Sequence, residues 1–533
     1  MIDTEKTYLH VLFRRAEETP DKMWMQDVCG DELTFAQSRE LALKWANALQ
    51  QSGVGEGDMV ATMMENCLDS QHVWLGAALI QGIEVPLSPL LRGESLVHAL
   101  NDSRSRVIVV ADQFHRYIED VADRLEHLER IVILQSSEKS PESAFGLVTR
   151  RQLIGQADVI SSFHLPQPKD IACVLYTSGT TGPSKGVLIT WGQLNSIAAS
   201  IDVSPFDDSD AYYYTGASNH IPGRSQPLWM ASLGGRFVMR PSFRTQDFWA
   251  DIDQYACTLT LLIGAMAHFL MSEPVRPDDR SHSLNYVLMA PVLPNVEQFN
   301  QRFGVVTSTG YNMTETSNPI MALDWKIVSP ESCGRLREGW PYYEARLVDE
   351  NDEDVPVGKA GELLLRTKAP HTMNAGYLNR PDATEEAWRG GWFHTGDVLQ
   401  LDANGNYYFI DRRKDAIRKS GENVSSFEVE MQIAAHAHVA ECAAIAVPAD
   451  NIEDEIKVFL VPAEGCDIDP EDVVKFAAEM MPRYMVPRYI EIISELPKTH
   501  TMRVQKAKLR DLPRTNEWDR VAAGIDIKRR ADA

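Results

Sequence analysis

Residues 171–187 read IACVLYTSGTTGPSKGV: an apolar run, a loop of Thr177, Ser178, Gly179, Thr180, Thr181 and Gly182, and then Lys185 and Gly186. Glycines let a backbone come close to an anion. Hydroxyls and backbone N–H groups donate to phosphate oxygens, and a lysine adds charge. The segment lacks the Gly-Lys-Ser/Thr order of a Walker A loop and is not a GxGxxG turn, so it is a different kind of phosphate-binding candidate.

Four further segments follow in order: Gly310-Tyr-Asn-Met-Thr-Glu315, Gly391-Trp-Phe-His-Thr-Gly-Asp397, Asp411-Arg-Arg-Lys-Asp415 with Lys419-Ser-Gly-Glu-Asn423, and Leu496-Pro-Lys-Thr499. In wording, order and spacing, the five resemble the signature motifs of the adenylate-forming superfamily. That superfamily includes acyl- and aryl-CoA synthetases, firefly luciferase and peptide-synthetase adenylation domains. The resemblance spans roughly residues 10–510, and from Arg412 to Glu430 it is strongest to the carnitine/crotonobetaine and medium-chain CoA ligase branch.

The resemblance implies a two-step ligase. A carboxylate attacks the α-phosphate of Mg-ATP to give an acyl-adenylate and pyrophosphate, and the thiol of coenzyme A then displaces AMP. Thr177, Ser178, Thr180, Thr181 and Lys185 would hold the β- and γ-phosphates, with Gly179 and Gly182 in the same loop. Thr314 would donate to the α-phosphate or the carboxylate. Glu315 would hold Mg²⁺, a hard cation suited to carboxylate oxygen. Tyr311 would cover the adenine, Asp397 would accept from the ribose hydroxyls, and Arg412 would donate to the ribose. Lys414 falls at the family's hinge position, Gly421 in the pantetheine tunnel, and His220 in a loose match to a segment bordering acyl and CoA entry.

Three departures stand out. Asn312 replaces a glycine, and the adenine segment reads Leu288-Met-Ala-Pro291. In the C-terminal motif, Met502-Arg503 stands where relatives carry glycine and the adenylation lysine. Arginine keeps the charge but is bulkier and forks onto its partners. Either Arg503 does the lysine's job, or Lys498 or Lys506 supplies the charge, or adenylation is slower or different. An adenylating enzyme with another acceptor (an amine, or nitrite in a diazotisation) and a nucleotide-binding module without turnover therefore stay open beside the CoA ligase.

The elements that must position these residues follow from periodicity. Leu9, Leu12, Phe13 and Ala16 have helical spacing, and Thr34 caps a second helix with Leu41, Trp45, Ala48 and Leu49 on its apolar face. Short apolar runs at 59–64, 107–110 and 131–134 alternate with helices, which predicts an α/β protein with parallel sheets. Runs at 345–348, 361–366 and 407–410 predict a β-rich subdomain. Strands at 440–447 and 456–461 and a helix at 470–481 predict a small, mobile α+β domain. The expected division is a large N-terminal domain over 1–411, a hinge at 412–415 and a C-terminal domain over 416–533, with a charged tail after Arg510 at the periphery.

The 533 residues carry 52 basic and 76 acidic side chains, a net charge of -24. Such a surface repels nucleic acid and anionic lipid. Seven scattered cysteines form no CxxC pair, which favours reduced thiols over a zinc site or disulfides. With no signal-peptide pattern and no long apolar run, the expectation is a cytoplasmic enzyme, monomer or homodimer, acting on a small carboxylic acid without nucleic-acid or membrane partners.

Overall fold

The computed structural model describes residues 6–134, 143–155, 157–177, 184–412, 417–419, 422–448, 454–481, 483–499 and 504–525. The fold is α/β. Two seven-stranded sheets are parallel apart from one antiparallel edge each. The first carries Ile171–Thr177 with its antiparallel neighbour Lys185–Thr190. The second includes Ala211–Tyr214, Leu259–Leu262 and Tyr286–Met289. A third, antiparallel sheet runs from Gly310–Met313 through Phe393–Leu401 and Asn406–Arg412 to Tyr343–Val348.

The predicted helices form where the apolar spacing placed them. Tyr8–Glu18 buries Leu9, Leu12 and Ala16. Phe35–Gln51 starts at Thr34, whose Oγ1 accepts from Gln37 N at 3.3 Å, and it buries Trp45, Ala48 and Leu49. These helices pack on an aromatic core in which Trp74 and Trp191 stack with ring centroids 5.0 Å apart. Large flat rings fill the space between the two parallel sheets and fix their separation.

Within that core lies a buried ion pair. Arg224, on the helix Pro222–Leu233, meets Glu84 of the strand Ile83–Pro86 at 2.8 Å, and its Nη1 donates to Ser70 O at 2.9 Å. Thr62 Oγ1 donates to Glu84 at 2.8 Å, so the carboxylate is bonded from two sides. The pair pins a helix of the second sheet's layer onto the first sheet. A buried charge is tolerated only when paired and hydrogen-bonded in this way.

After Arg412, a hairpin of Ile417–Lys419 and Glu422–Val424 leads into a four-stranded sheet flanked by Ser426–Ala434 and Pro470–Met480. The charged tail lies largely at the surface, as expected, and is tied down at one point. Trp518–Asp519 adds a strand to Tyr489–Ile492, Trp518 packs on the small core, and Glu517 reaches buried Lys457 at 2.9 Å. The tail's charge hid one aromatic anchor and one buried ion pair.

Candidate active site

The described site residues converge from three elements. The strands Ile171–Thr177 and Lys185–Thr190 end level with each other, so Thr177 and Lys185 are register partners. They flank the glycine-rich segment. Ser178, Gly179, Thr180, Thr181 and Gly182 of that segment lie outside the described residues.

Lys185 Nζ lies 4.9 Å from the ring centre of Tyr377. The Tyr377 hydroxyl donates to Glu315 Oε1 at 3.2 Å. The segment around Tyr377 runs against the lysine's strand, with Leu188 N donating to Gly376 O and Leu378 N to Gly186 O. Asn374 then holds the Glu315 backbone, its main-chain and side-chain N–H groups both donating to Glu315 O at 3.0 and 2.9 Å. Gln193 donates to Thr314 O at 2.8 Å. The Thr314-Glu315 turn is therefore fixed by three donors. Tyr377 and Asn374 carried no signal in the five motifs. They sit in an ordinary-looking Asn-Ala-Gly-Tyr turn whose role appears only when it docks between two motifs.

Glu315 is 7% exposed, and burial pushes its carboxyl above the usual carboxylate range. Among the described residues it makes no ion pair. A buried carboxylate bonded by a neutral hydroxyl, with the Arg412 charge acting on it only from beyond ion-pair distance, is the donor type that a hard divalent cation neutralises. The residues present thus fit Mg²⁺.

The third sheet contributes the other half of the site. Asp397 and Arg412 are register partners on adjacent strands, with Arg412 Nε 3.4 Å from Asp397 Oδ1. Tyr311 donates to Asp397 Oδ2 at 2.8 Å. Burial, helped by the neighbouring Asp397 charge, holds the Tyr311 hydroxyl well above its usual 10.0, so it remains a donor. Gly310 is required before it: a Cβ there would lie 2.8 Å from Ile320 O.

Next to Tyr311, a cavity of about 50 Å³ opens between the helices Trp191–Ala198 and Pro222–Leu233 and the ends of the second sheet. Its walls include Ile221, Gln226, Leu261, Leu288, Thr309 and Asn312. His220 precedes this wall, half-buried, with its N–H donating to Ala217 O at 3.2 Å, and is not among the residues lining the cavity. Lys414, Gly421 and Arg503 lie outside the described residues.

The two alternative lysines of the C-terminal motif are both engaged. Lys498 pairs with Glu441 at 2.5 Å. Lys506 pairs with Glu430 at 2.8 Å and donates to Ser426 Oγ. Ser426 in turn donates through N and Oγ to Asp411 Oδ2, each at 2.6 Å, which caps the helix Ser426–Ala434 from the end of the third sheet.

Three sheets in a large body, a small α+β domain, and a lysine and a buried carboxylate beside an Asp–Arg pair make the architecture of an adenylate-forming enzyme. Residues 12–378 match the family model of the AMP-binding enzymes, and 428–503 match that of the AMP-binding enzyme C-terminal domain. The chain belongs to this family, and it is an enzyme of the AMP-forming acid–CoA ligase kind. It is 30% identical over 492 residues to a crotonobetaine/carnitine–CoA ligase of Proteus mirabilis, covering 90% of this chain and 93% of the relative. A crotonobetaine/carnitine–CoA ligase of Salmonella arizonae is 31% identical over 478 residues, covering 87% and 90%. Among solved structures, an anthranilate CoA ligase in complex with anthranoyl-AMP superposes with a TM-score of 0.85 at 25% identity, covering 96% of this chain and 97% of that one. A benzoate CoA ligase from Burkholderia xenovorans has the same fold, with a TM-score of 0.81 at 22% identity and coverage of 95% and 99%.

Proposed function

We propose that this enzyme activates a small carboxylic acid with Mg-ATP, releases pyrophosphate, and transfers the acyl group from the adenylate to coenzyme A, releasing AMP. The observation that carries the reading is the pair of clusters Lys185–Tyr377–Glu315 and Tyr311–Asp397–Arg412, near enough to each other for the Arg412 and Asp397 charges to act on Glu315. One side offers a cation and a metal-ready carboxylate for a polyphosphate. The other offers an acceptor and a donor spaced for a ribose.

In this reading the loop 177–182 and Lys185 cradle the β- and γ-phosphates. Thr314 donates to the α-phosphate or the acid's carboxylate, and Glu315 holds Mg²⁺, which when bound offsets phosphate charge. Asp397 accepts from the ribose hydroxyls, and Arg412, already aligned by Asp397, donates to the ribose. Tyr311 closes over the adenine. Stabilising charge that develops on the α-phosphate and pyrophosphate is the main demand of such a step, and preorganised donors meet it.

Residues 412–415, between the third sheet and the small domain, act as the hinge of a small domain over 416–533, with Lys414 in it. Gly421 and His220 border the path of the pantetheine thiol. Arg503 supplies the cation of the adenylation step. The engagement of Lys498 and Lys506 in their own ion pairs supports Arg503 over either lysine. A cytoplasmic location fits a coenzyme A-dependent reaction.

The second reading is an adenylating enzyme with a different acceptor, motivated by Met502-Arg503 in place of the usual pair. Incubation with Mg-ATP, acid and coenzyme A, followed by mass spectrometry, tests the proposal. AMP with an acyl-CoA is the expected result. ADP as the nucleotide product would overturn the ligase reading, and AMP without thioester would move it to the second.

A further inference from the structure

Lys185 starts its strand next to a carbonyl that another element holds. The pair Thr177–Lys185 is the last in register between the two strands among the described residues. The Ser184 carbonyl therefore lies past the end of the ladder. His98 Nε2 reaches that oxygen at 2.9 Å. A carbonyl only accepts, so Nε2 carries the proton and donates. The peptide unit is planar and rigid, so fixing the Ser184 oxygen fixes the plane from which Lys185 begins.

His98 lies on the helix Gly93–Ser103. One turn further along the same face, Asp102 accepts from the Tyr176 hydroxyl at 2.9 Å and meets Arg380 Nη1 at 3.3 Å. The Asp102 carbonyl accepts from Asn379 Nδ2 at 2.7 Å. Tyr176 directly precedes Thr177, and Asn379 and Arg380 follow Tyr377, whose ring lies beside Lys185. The His98 ring also meets Tyr176 edge-on, with centroids 6.2 Å apart. One helix face thus touches all three segments that converge on Lys185.

Packing alone does not call for these polar contacts. Leu96, Ala99 and Leu100 already bury the helix in one apolar cluster with Val174, Tyr176 and Leu378. His98 is only half-buried at the edge of that cluster, and its donor goes to the one carbonyl next to the lysine.

We infer that His98 is a positioning residue for Lys185, directing its ammonium to the β- and γ-phosphates, with Asp102 holding the two neighbouring segments in register. The inference rests on the nucleotide reading above and adds a residue that none of the five motifs contains.

AMP lacks the β- and γ-phosphates. A group that acts only through Lys185 therefore affects ATP and leaves AMP alone, whereas a general support of the fold affects both. Calorimetry on the full chain, without acid, measures binding of Mg-ATP and of AMP to the wild type, His98→Phe, His98→Gln and Lys185→Ala. His98→Phe keeps a ring against Tyr176 and removes the donor; His98→Gln returns an N–H at similar reach. His98→Phe should bind Mg-ATP about fivefold more weakly, the scale of one neutral hydrogen bond, with its AMP affinity unchanged. His98→Gln should recover most of that loss. If His98→Phe does not accumulate, His98→Leu is measured in its place.

Equal loss for both nucleotides, no loss for either, or a glutamine variant as weak as the phenylalanine variant overturns the inference. Lys185→Ala separates this failure from that of the reading beneath it. Unchanged Mg-ATP binding in Lys185→Ala refutes the nucleotide reading, and the inference with it. Weakened binding in Lys185→Ala alone refutes only the role of His98.

Discussion

Asp397 and Arg412 face each other as register partners on neighbouring antiparallel strands, with Arg412 Nε 3.4 Å from Asp397 Oδ1 and the Tyr311 hydroxyl 2.8 Å from Oδ2. One buried carboxylate thus orients both a cation and a phenol before any nucleotide arrives. Strand pairing sets the Asp–Arg spacing, so it does not depend on loop conformation.

Asp397→Asn keeps the shape but removes the charge that Arg412 and Tyr311 are arranged around. A hydrogen bond to a charged group contributes roughly 1.5–3 kcal/mol. The apparent affinity for ATP should therefore fall about tenfold to a hundredfold, measured as KM for ATP in pyrophosphate release. Unchanged ATP kinetics would remove Asp397 from the nucleotide site.

Glu315 predicts opposite effects on stability and activity. Its carboxyl is raised above the ordinary 4.5, chiefly by burial. A group with a raised folded-state pKa favours the fold below its unfolded pKa, and that contribution is lost as pH rises through the folded value. The ionised form at neutral pH is thus a burden on the folded state without metal. Glu315→Gln should melt no lower than the wild type at pH 7.5 in the presence of chelator, and Mg²⁺ with ATP should stabilise the wild type more than the variant. Pyrophosphate release should fall by on the order of a hundredfold, the scale of losing one electrostatic contact to the reacting group. A variant that melts well below the wild type in chelator would contradict the burial argument.

Tyr377→Phe deletes the hydroxyl that donates to Glu315 but keeps the ring beside Lys185. The hydrogen bond goes to a charged carboxylate and contributes roughly 1.5–3 kcal/mol, so turnover should fall about tenfold to a hundredfold. Tyr377→Ala removes both contacts and should cost more. Equal turnover for the two variants would show that the ring does not position Lys185.

The lysines of the C-terminal motif separate by burial. Lys506 and Glu430 are largely buried, whereas Lys498 and Glu441 are partly exposed. Removing one partner of a buried pair strands the other charge, so Lys506→Met should destabilise the small domain by on the order of 3 kcal/mol. Lys498→Met should cost about 1 kcal/mol or less. Chemical denaturation checks both. Arg503→Ala should depress pyrophosphate release more than thioester formation from supplied acyl-AMP, and equal loss in both half-reactions would refute its assignment to the first.

The motif residues were legible because each motif is a contiguous run. Tyr311, Glu315, Asp397 and Arg412 could be named from sequence, and Thr34 could be read as a cap because its partner Gln37 lies one turn away. What joins the motifs was not legible. Tyr377 touches Lys185 and Glu315 from 192 and 62 positions away, and Arg224 pairs with Glu84 across 140. No local pattern encodes such meetings; they follow from how two sheets and a third pack together. The walls of the cavity likewise come from 197–201, 221–226, 261, 288–290 and 309–321, segments that only the packing of the sheets brings together. The exposure of the tail was legible in its charges, but its one anchoring tryptophan, Trp518, was not.

The central claim is that an acid, not water, attacks the α-phosphate of ATP at this site. The measurement that meets it most directly is pyrophosphate release from Mg-ATP across small, aryl and medium-chain acids and nitrite, with and without coenzyme A, for the wild type and Lys185→Ala. The expected result is acid-dependent release, conversion to AMP and an acyl-CoA when coenzyme A is added, and loss of both in Lys185→Ala. Release of inorganic phosphate with ADP, or pyrophosphate release indifferent to every acid and to Lys185, would contradict the account.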